Sequence, residues 1–98
     1  MSSTLPKTKP SERIGVEIDT TGLRCPLPLL RAKQALKTMQ VGDLLQVTAT
    51  DPAAKPDFDA MLRHLPHEMV SYQRVDSTDV HSSYPWVDII VIRKGGGE

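Results

Sequence analysis

Apolar and polar positions alternate along residues 14–18 and again along residues 45–49. A period of two predicts strands with one buried face in both stretches. Residues 85–93 repeat the pattern and predict a final strand, and residues 69–75 predict a third strand with a less regular pattern. None of the four stretches is apolar throughout, so we expect a sheet that is covered on one face only.

Two segments between these strands have the spacing of amphipathic helices. Residues 26–39 place Leu29, Ala32, Leu36 and Met39 on one helical face. A shorter helix is predicted after the second strand, where Phe58, Met61, Leu62 and Leu65 have helical spacing. Pro66 ends this helix. The order β-α-β-α-β-β predicts an α/β two-layer sandwich, with a four-stranded mixed sheet and two helices on one face.

A chain of 98 residues is long enough for one domain. We assign residues 13–94 to it, and we interpret residues 1–12 as a disordered tail and residues 95–98 as a flexible C-terminal tail. Residues 76–84 are polar and predict a loop. No stretch reaches the roughly 20 apolar residues of a membrane span, and the N-terminus has no secretion signal. We therefore expect a cytoplasmic protein that contacts no membrane.

The balanced charge of the chain argues against binding that depends on a strong overall electrostatic field. Twelve Lys and Arg residues balance twelve Asp and Glu residues, so we expect no direct nucleic-acid binding. A local basic face is predicted on the first helix, where Arg31, Lys33 and Lys37 lie largely off the apolar stripe. This face is a candidate docking surface, although an ordinary solvated helix face has the same pattern.

The chain contains one cysteine, Cys25, which follows Arg24 at the junction of the first strand and the first helix. With Cys25 at the N-cap, Pro26 and Pro28 fall in the first turn, and Leu27 keeps an N–H that can point at the sulfur. The positive helix end and the Arg24 guanidinium both lower the pKa of a thiol. We expect an exposed, substantially ionised thiolate. The alternative is a small hydrophobic side chain buried in the core.

The residue types around a single thiol narrow the chemistry. No second cysteine forms a Cys-x-x-Cys pair, and no group of ligands indicates a zinc site, so we expect neither a metal nor another cofactor. His64, His67 and His81 have no spacing that identifies a catalytic base. The remaining chemistry is the carriage of a group on sulfur, with attack on the persulfide of a partner. A non-catalytic module that binds RNA or a regulator through the basic face and a thiol-dependent redox sensor stay open as alternatives.

Residues 22–28 read Gly-Leu-Arg-Cys-Pro-Leu-Pro, and this Cys-Pro-x-Pro motif resembles the signature of the TusA/SirA-like sulfur carrier family. The likeness extends over residues 14–96. It implies a cytoplasmic sulfurtransferase that accepts sulfane sulfur as a persulfide on Cys25 and acts as a relay. It also implies a protein donor, either a cysteine desulfurase or a rhodanese, and a protein acceptor, either DsrE-like or a tRNA-thiolation protein. Dissimilatory sulfur oxidation and tRNA 2-thiouridine synthesis are the pathways that the resemblance suggests.

Two acidic residues flank the turn into the second helix. Both residues are candidates for an acidic docking rim or for a group near the active cysteine. The alternative is that Asp51 starts the turn and that Asp57 belongs to the helix start; we favour this alternative for Asp57 and leave Asp51 open. The family often has two acidic residues before the proline, whereas Thr50 precedes Asp51 here. The loop at residues 76–84 is longer than in tRNA-thiolating members and favours sulfur trafficking in an oxidising pathway.

Overall fold

The structure is a computed structural model that describes residues 14–76 and 84–96. It contains four strands and two helices in the predicted order: β1 Ile14–Thr20, α1 Leu27–Thr38, β2 Leu44–Ala49, α2 Ala54–Leu62, β3 Glu68–Asp76 and β4 Trp86–Arg93. The predicted α/β two-layer sandwich is therefore confirmed. The predicted tail at residues 1–12 and most of the predicted loop at residues 76–84 lie outside the described residues.

The four strands form one mixed sheet in the order β1-β2-β4-β3. Because α1 carries the chain back across the sheet, β1 and β2 are parallel, whereas β4 is antiparallel to both of its neighbours. Thr20 at the end of β1 is paired with Ala49 at the end of β2. The segments that follow these two strands therefore begin side by side at one edge of the sheet.

Both helices pack on the same face of the sheet and enclose an aliphatic core with one aromatic ring. Burying one Val, Leu, Ile, Met or Phe side chain contributes roughly 1.5–3 kcal/mol to stability. The buried core residues from helices and sheet are Ala32, Leu36, Met39, Ala54, Phe58, Leu45, Val47, Ala49, Ile90 and Ile92. This packing fixes the direction of α1 and the position of α2 beside it.

A buried carboxylate joins the last two strands. The Arg74 guanidinium donates from Nε to Asp88 at 2.8 Å, and the Tyr72 hydroxyl donates to the same carboxylate at 3.1 Å. The guanidinium also lies 3.6 Å from the centre of the Trp86 ring. Because Asp88 is fully buried, these donors replace the water that its charge would otherwise require.

The helix boundaries differ from the sequence prediction. Pro26, not Cys25, is the N-cap of α1, and the helix begins one residue later than predicted. The second helix, α2, ends at Leu62, before Leu65 and Pro66. Its chain leaves the helix in a tight turn, in which the His64 N–H donates to the Met61 carbonyl.

Gly95, the first residue of the tail predicted at residues 95–98, contacts the segment before β3. Its N–H donates to Nδ1 of the buried His67 at 3.0 Å. A Cβ at Gly95 would overlap the carbonyl oxygen of Pro66. This close approach of two backbone segments explains why glycine occupies the position.

Replacing Gly95 with alanine should lower the free energy of unfolding by about 1–3 kcal/mol, because backbone atoms must move to admit the methyl group. Urea denaturation measures the effect. Gly96→Ala is the matched control, since a Cβ there meets only a Val41 methyl group at 3.6 Å. Equal stability of the two variants would contradict the close contact.

Candidate active site

Two segments meet at the sheet edge where β1 and β2 end. We call residues 21–26 the cysteine loop and residues 50–57 the acidic segment. The cysteine loop connects β1 to α1, and the acidic segment leads from β2 into α2. Since the carboxyl ends of parallel neighbours lie at one edge of a sheet, side chains distant in sequence come together here.

The backbone of the cysteine loop is attached to the acidic segment by two hydrogen bonds. The Gly22 N–H donates to the Thr50 hydroxyl at 2.9 Å, and the Cys25 N–H donates to the Asp51 carboxylate. Asp51 also accepts the Ala53 N–H at 2.9 Å, which closes its own turn. Gly22 has a φ of 83°, a conformation that glycine adopts without steric cost. The loop is thus held at both ends.

The thiol of Cys25 is exposed and contacts the second carboxylate of the acidic segment. Its Sγ donates a hydrogen bond to Oδ2 of Asp57 at 2.7 Å. Burial as a small hydrophobic side chain, the alternative left open by the sequence, is therefore wrong. An exposed sulfur beside a proton-accepting carboxylate is available to an incoming molecule.

This contact reverses the predicted ionisation of the thiol. The hydrogen bond to Asp57 raises the pKa of Cys25 above its ordinary value, and desolvation and the charges of Asp57 and Asp51 act in the same direction. The expectation of a substantially ionised thiolate is wrong for the protein alone. Its structural reason is that the sulfur faces two carboxylates.

The helix end and Arg24 do not act on the sulfur as predicted. The Leu27 N–H donates to the Arg24 carbonyl at 2.8 Å, so it is not directed at the thiol. The hydrogen bonds from the N–H groups of Ala53 and Cys25 lower the pKa of Asp51, and the Arg24 charge adds to this lowering. Arg24 therefore favours the ionised state of a carboxylate that faces the cysteine loop.

The three basic residues of α1 do not share one face. At about 100° per residue, Arg31 lies about 160° around the helix from Lys33, while Lys37 lies about 40° from Lys33. All three side chains are exposed. The single basic face predicted from sequence is thus divided, and Lys33 alone of the three lines the space between the helices.

That space is a groove of about 430 Å³ between α1 and α2. Its apolar lining comes from Leu29 and from residues on the facing side of α2 and just beyond it, and Asp57 lies in the same lining. The full set is Leu29, Lys33, Asp57, Ala60, Met61, His64 and Leu65. Because Asp57 also bonds to the thiol, the groove is continuous with the cysteine site.

Comparison with known proteins identifies the family of the chain. The model of the sulfurtransferase TusA family matches residues 16–83, a range that includes both the cysteine loop and the acidic segment. The chain belongs to the TusA family. The Cys-Pro-x-Pro motif that suggested this family lies inside the matched region.

Individual relatives agree with the assignment to the TusA family. The sulfur carrier protein TusA of Allochromatium vinosum is 48% identical over 54 residues, which span 55% of this chain and 71% of that protein. The sulfur carrier protein TusA of Pseudomonas syringae is 36% identical over 73 residues, or 72% and 87% of the two chains. The solved structure of a SirA-like protein of Desulfitobacterium hafniense has the same fold as this chain, with a TM-score of 0.58. The match has 20% sequence identity and covers 83% of this chain and 99% of that one.

For Asp57 we favoured the helix start over a position near the active cysteine, and the structure places its carboxylate against the thiol. Asp51 was left undecided, and in this TusA-family fold it both closes a turn and bonds to Cys25. Both residues follow β2, the parallel neighbour of the strand that leads to the cysteine, and this position could have indicated them. Neither a metal-binding group of three acidic, His or Cys side chains nor a helix that could span a membrane is found within residues 14–76 and 84–96.

Replacing Asp51 with alanine should lower the free energy of unfolding by about 1–2 kcal/mol, because the N–H groups of Cys25 and Ala53 lose a charged acceptor. Thermal or urea unfolding measures the loss. Asp51→Asn is the control, since its amide oxygen can still accept one of the two bonds and should cost less. Equal losses in the two variants would contradict a role for the hydrogen bonds.

Proposed function

We propose that this TusA-family chain is a sulfur carrier that takes up sulfane sulfur on Cys25 as a persulfide and delivers it to a partner protein. The observation that carries the proposal is the exposed thiol at 2.7 Å from the Asp57 carboxylate, in a loop fixed by the acidic segment. A group transferred to this sulfur remains accessible to a second protein. The sulfur carrier names of the relatives point to the same role.

The loading step conserves atoms and electrons. The sulfur of Cys25 attacks the outer sulfur of a donor persulfide, a new S–S bond forms at Cys25, and the S–S bond of the donor breaks. The donor leaves as a thiolate and takes up a proton, so one persulfide and one thiol are exchanged for another thiol and another persulfide. Delivery to an acceptor thiol repeats the exchange in the opposite sense.

Asp57 is suited to hold the proton during this exchange. Its carboxylate already accepts the S–H of Cys25, so the proton can pass to Asp57 as the sulfur attacks and then to the departing thiolate. In the resting carrier the same contact keeps the sulfur in its less nucleophilic thiol form. A partner that changes the environment of the two carboxylates would then exchange sulfur faster than a small persulfide does.

The partners that fit this role are proteins with a reactive cysteine. We propose a cysteine desulfurase or a rhodanese as donor and a DsrE-like or tRNA-thiolation protein as acceptor, within the cytoplasm. The chain is then a sulfurtransferase that works as a relay and requires no cofactor of its own. Sulfur oxidation and tRNA 2-thiouridine synthesis are the two pathways that such partners would define.

Two other functions receive less support from the geometry. A binding module for RNA or a regulator would need the basic face of α1, but Arg31 and Lys33 project from different sides of the helix. A redox sensor normally has an accessible cysteine of lowered pKa, whereas the carboxylate contacts raise the pKa of Cys25.

Mass spectrometry after incubation with a small persulfide tests the proposed function. We expect a gain of about 32 Da, one sulfur atom, on the peptide that contains Cys25, and we expect a reductant to remove it, as thiol exchange requires. A chain that gains no sulfur, or whose gain of about 32 Da is not removed by the reductant, would contradict sulfur carriage.

A further inference from the structure

The groove between α1 and α2 reaches Asp57, the carboxylate that bonds to Cys25, and it is also lined by a cation. Asp57 joins it to the thiol, and Lys33 stands on the opposite helix with an exposed ammonium group. Across residues 14–76 and 84–96, no carboxylate forms an ion pair with Lys33. The groove therefore offers an apolar floor and an unneutralised positive charge.

The separation between the cysteine loop and Lys33 corresponds to a short piece of extended chain. Lys33 lies six residues along α1 from Leu27, the residue that follows the cysteine loop, and this separation spans about 9 Å at 1.5 Å per residue. An extended peptide rises about 3.3 Å per residue, so three residues beyond a cysteine cover the same distance. Ala60 in the groove lining is small and exposed, which leaves room for an incoming side chain.

We propose that this groove binds the cysteine-bearing segment of the sulfur-transfer partner, in extended form, with an apolar side chain on the groove floor and a carboxylate about three residues from the cysteine, opposite Lys33. This inference rests on the proposed function and specifies the partner that the site accepts. The partner's cysteine lies at Asp57, where sulfur exchange takes place. The complementary charges fix the register of the segment.

Synthetic peptide persulfides provide the test. One peptide, Cys-Gly-Leu-Glu, carries the persulfide on its cysteine, and a second has Lys in place of Glu; both are also made in the reverse order. At pH 7.5 and low salt, one of the two chain directions should load Cys25 about fivefold faster from the Glu peptide, which corresponds to about 1 kcal/mol for one exposed ion pair. The persulfide of N-acetylcysteine methyl ester serves as a donor too short to use the groove.

Substitutions in the two helices locate the effect. Lys33→Glu should reverse the preference between the Glu and Lys peptides, whereas Lys37→Glu should retain it, because Lys37 carries the same charge on the same helix outside the groove. Ala60→Trp should slow loading from both peptides more than it slows loading from the short donor. These variants lie at exposed positions, so folding should be preserved.

The outcomes separate the two proposals. If the short donor loads all variants but neither peptide direction shows a charge preference, or if Lys33→Glu and Lys37→Glu change it equally, the groove proposal is overturned and sulfur carriage stands. If the short donor does not load the wild-type chain, both proposals fall. Reversal by Lys33→Glu alone supports the groove as the binding site of the partner segment.

Discussion

Cys25→Ser will abolish sulfur loading completely. The substituted hydroxyl can still donate to Asp57, so the loop geometry should be retained while the only sulfur nucleophile of the chain is removed. Incubation with a persulfide donor followed by mass spectrometry should show no gain of about 32 Da, and transfer to any acceptor should fall to background.

A second variant separates the presence of a thiol from its position. Cys25→Ser combined with Ser71→Cys has one exposed cysteine, but on β3 and away from the acidic segment. We expect it to react with small persulfides and to show no transfer from the protein donor of the wild-type chain. If Cys25→Ser still gains sulfur, or if the double variant exchanges sulfur with that donor as fast as the wild type, the assignment of Cys25 is wrong.

Asp57→Asn will lower the pKa of the thiol and increase its reactivity at neutral pH. The carboxylate raises the pKa chiefly by accepting the S–H hydrogen bond, and its negative charge opposes ionisation as well. Removing the charge shifts the pKa downward, so the pH profile of alkylation moves to lower pH. The thiolate fraction below the pKa increases about tenfold for each unit of that shift.

Iodoacetamide, which is uncharged, measures this profile without an electrostatic bias of its own. Asp59→Asn is the matched control, because it makes the same change on the same helix while the Asp59 carboxylate pairs with Lys55 at 2.7 Å rather than with the thiol. Superimposable profiles for wild type and Asp57→Asn would show that the carboxylate does not control ionisation. A similar shift in Asp59→Asn would assign the effect to net charge.

Much of the fold could be predicted because its periodic signals are local. The alternation at residues 14–18 and 45–49 and the helical spacing from Leu29 to Met39 are each determined by one buried face, and the structure confirms them. The predicted start of α1 was wrong by one residue, because Pro26 and Pro28 are compatible with more than one N-cap position. The order of the strands depends on long-range packing that no local pattern records.

The site was predictable at the nucleophile and not at its surroundings. Cys25 was evident from the motif, but its contact with Asp57 joins residues 32 positions apart, and this pairing follows only when β1 and β2 lie parallel at one edge. Sequence neighbours such as Arg24 and Leu27 therefore suggested the wrong electrostatic environment. Positions after adjacent parallel strands give better candidates than positions beside the cysteine.

The nucleophile and the groups that determine its protonation lie on different stretches of chain. Three side chains that bond to the cysteine loop come from the eight residues of the acidic segment: Thr50, Asp51 and Asp57. Mutation in that short stretch can therefore change the pKa of the thiol, and with it the preferred exchange partner, while the Cys-Pro-x-Pro motif stays unaltered. Divergence among carriers of this architecture is thus expected to concentrate after the second strand.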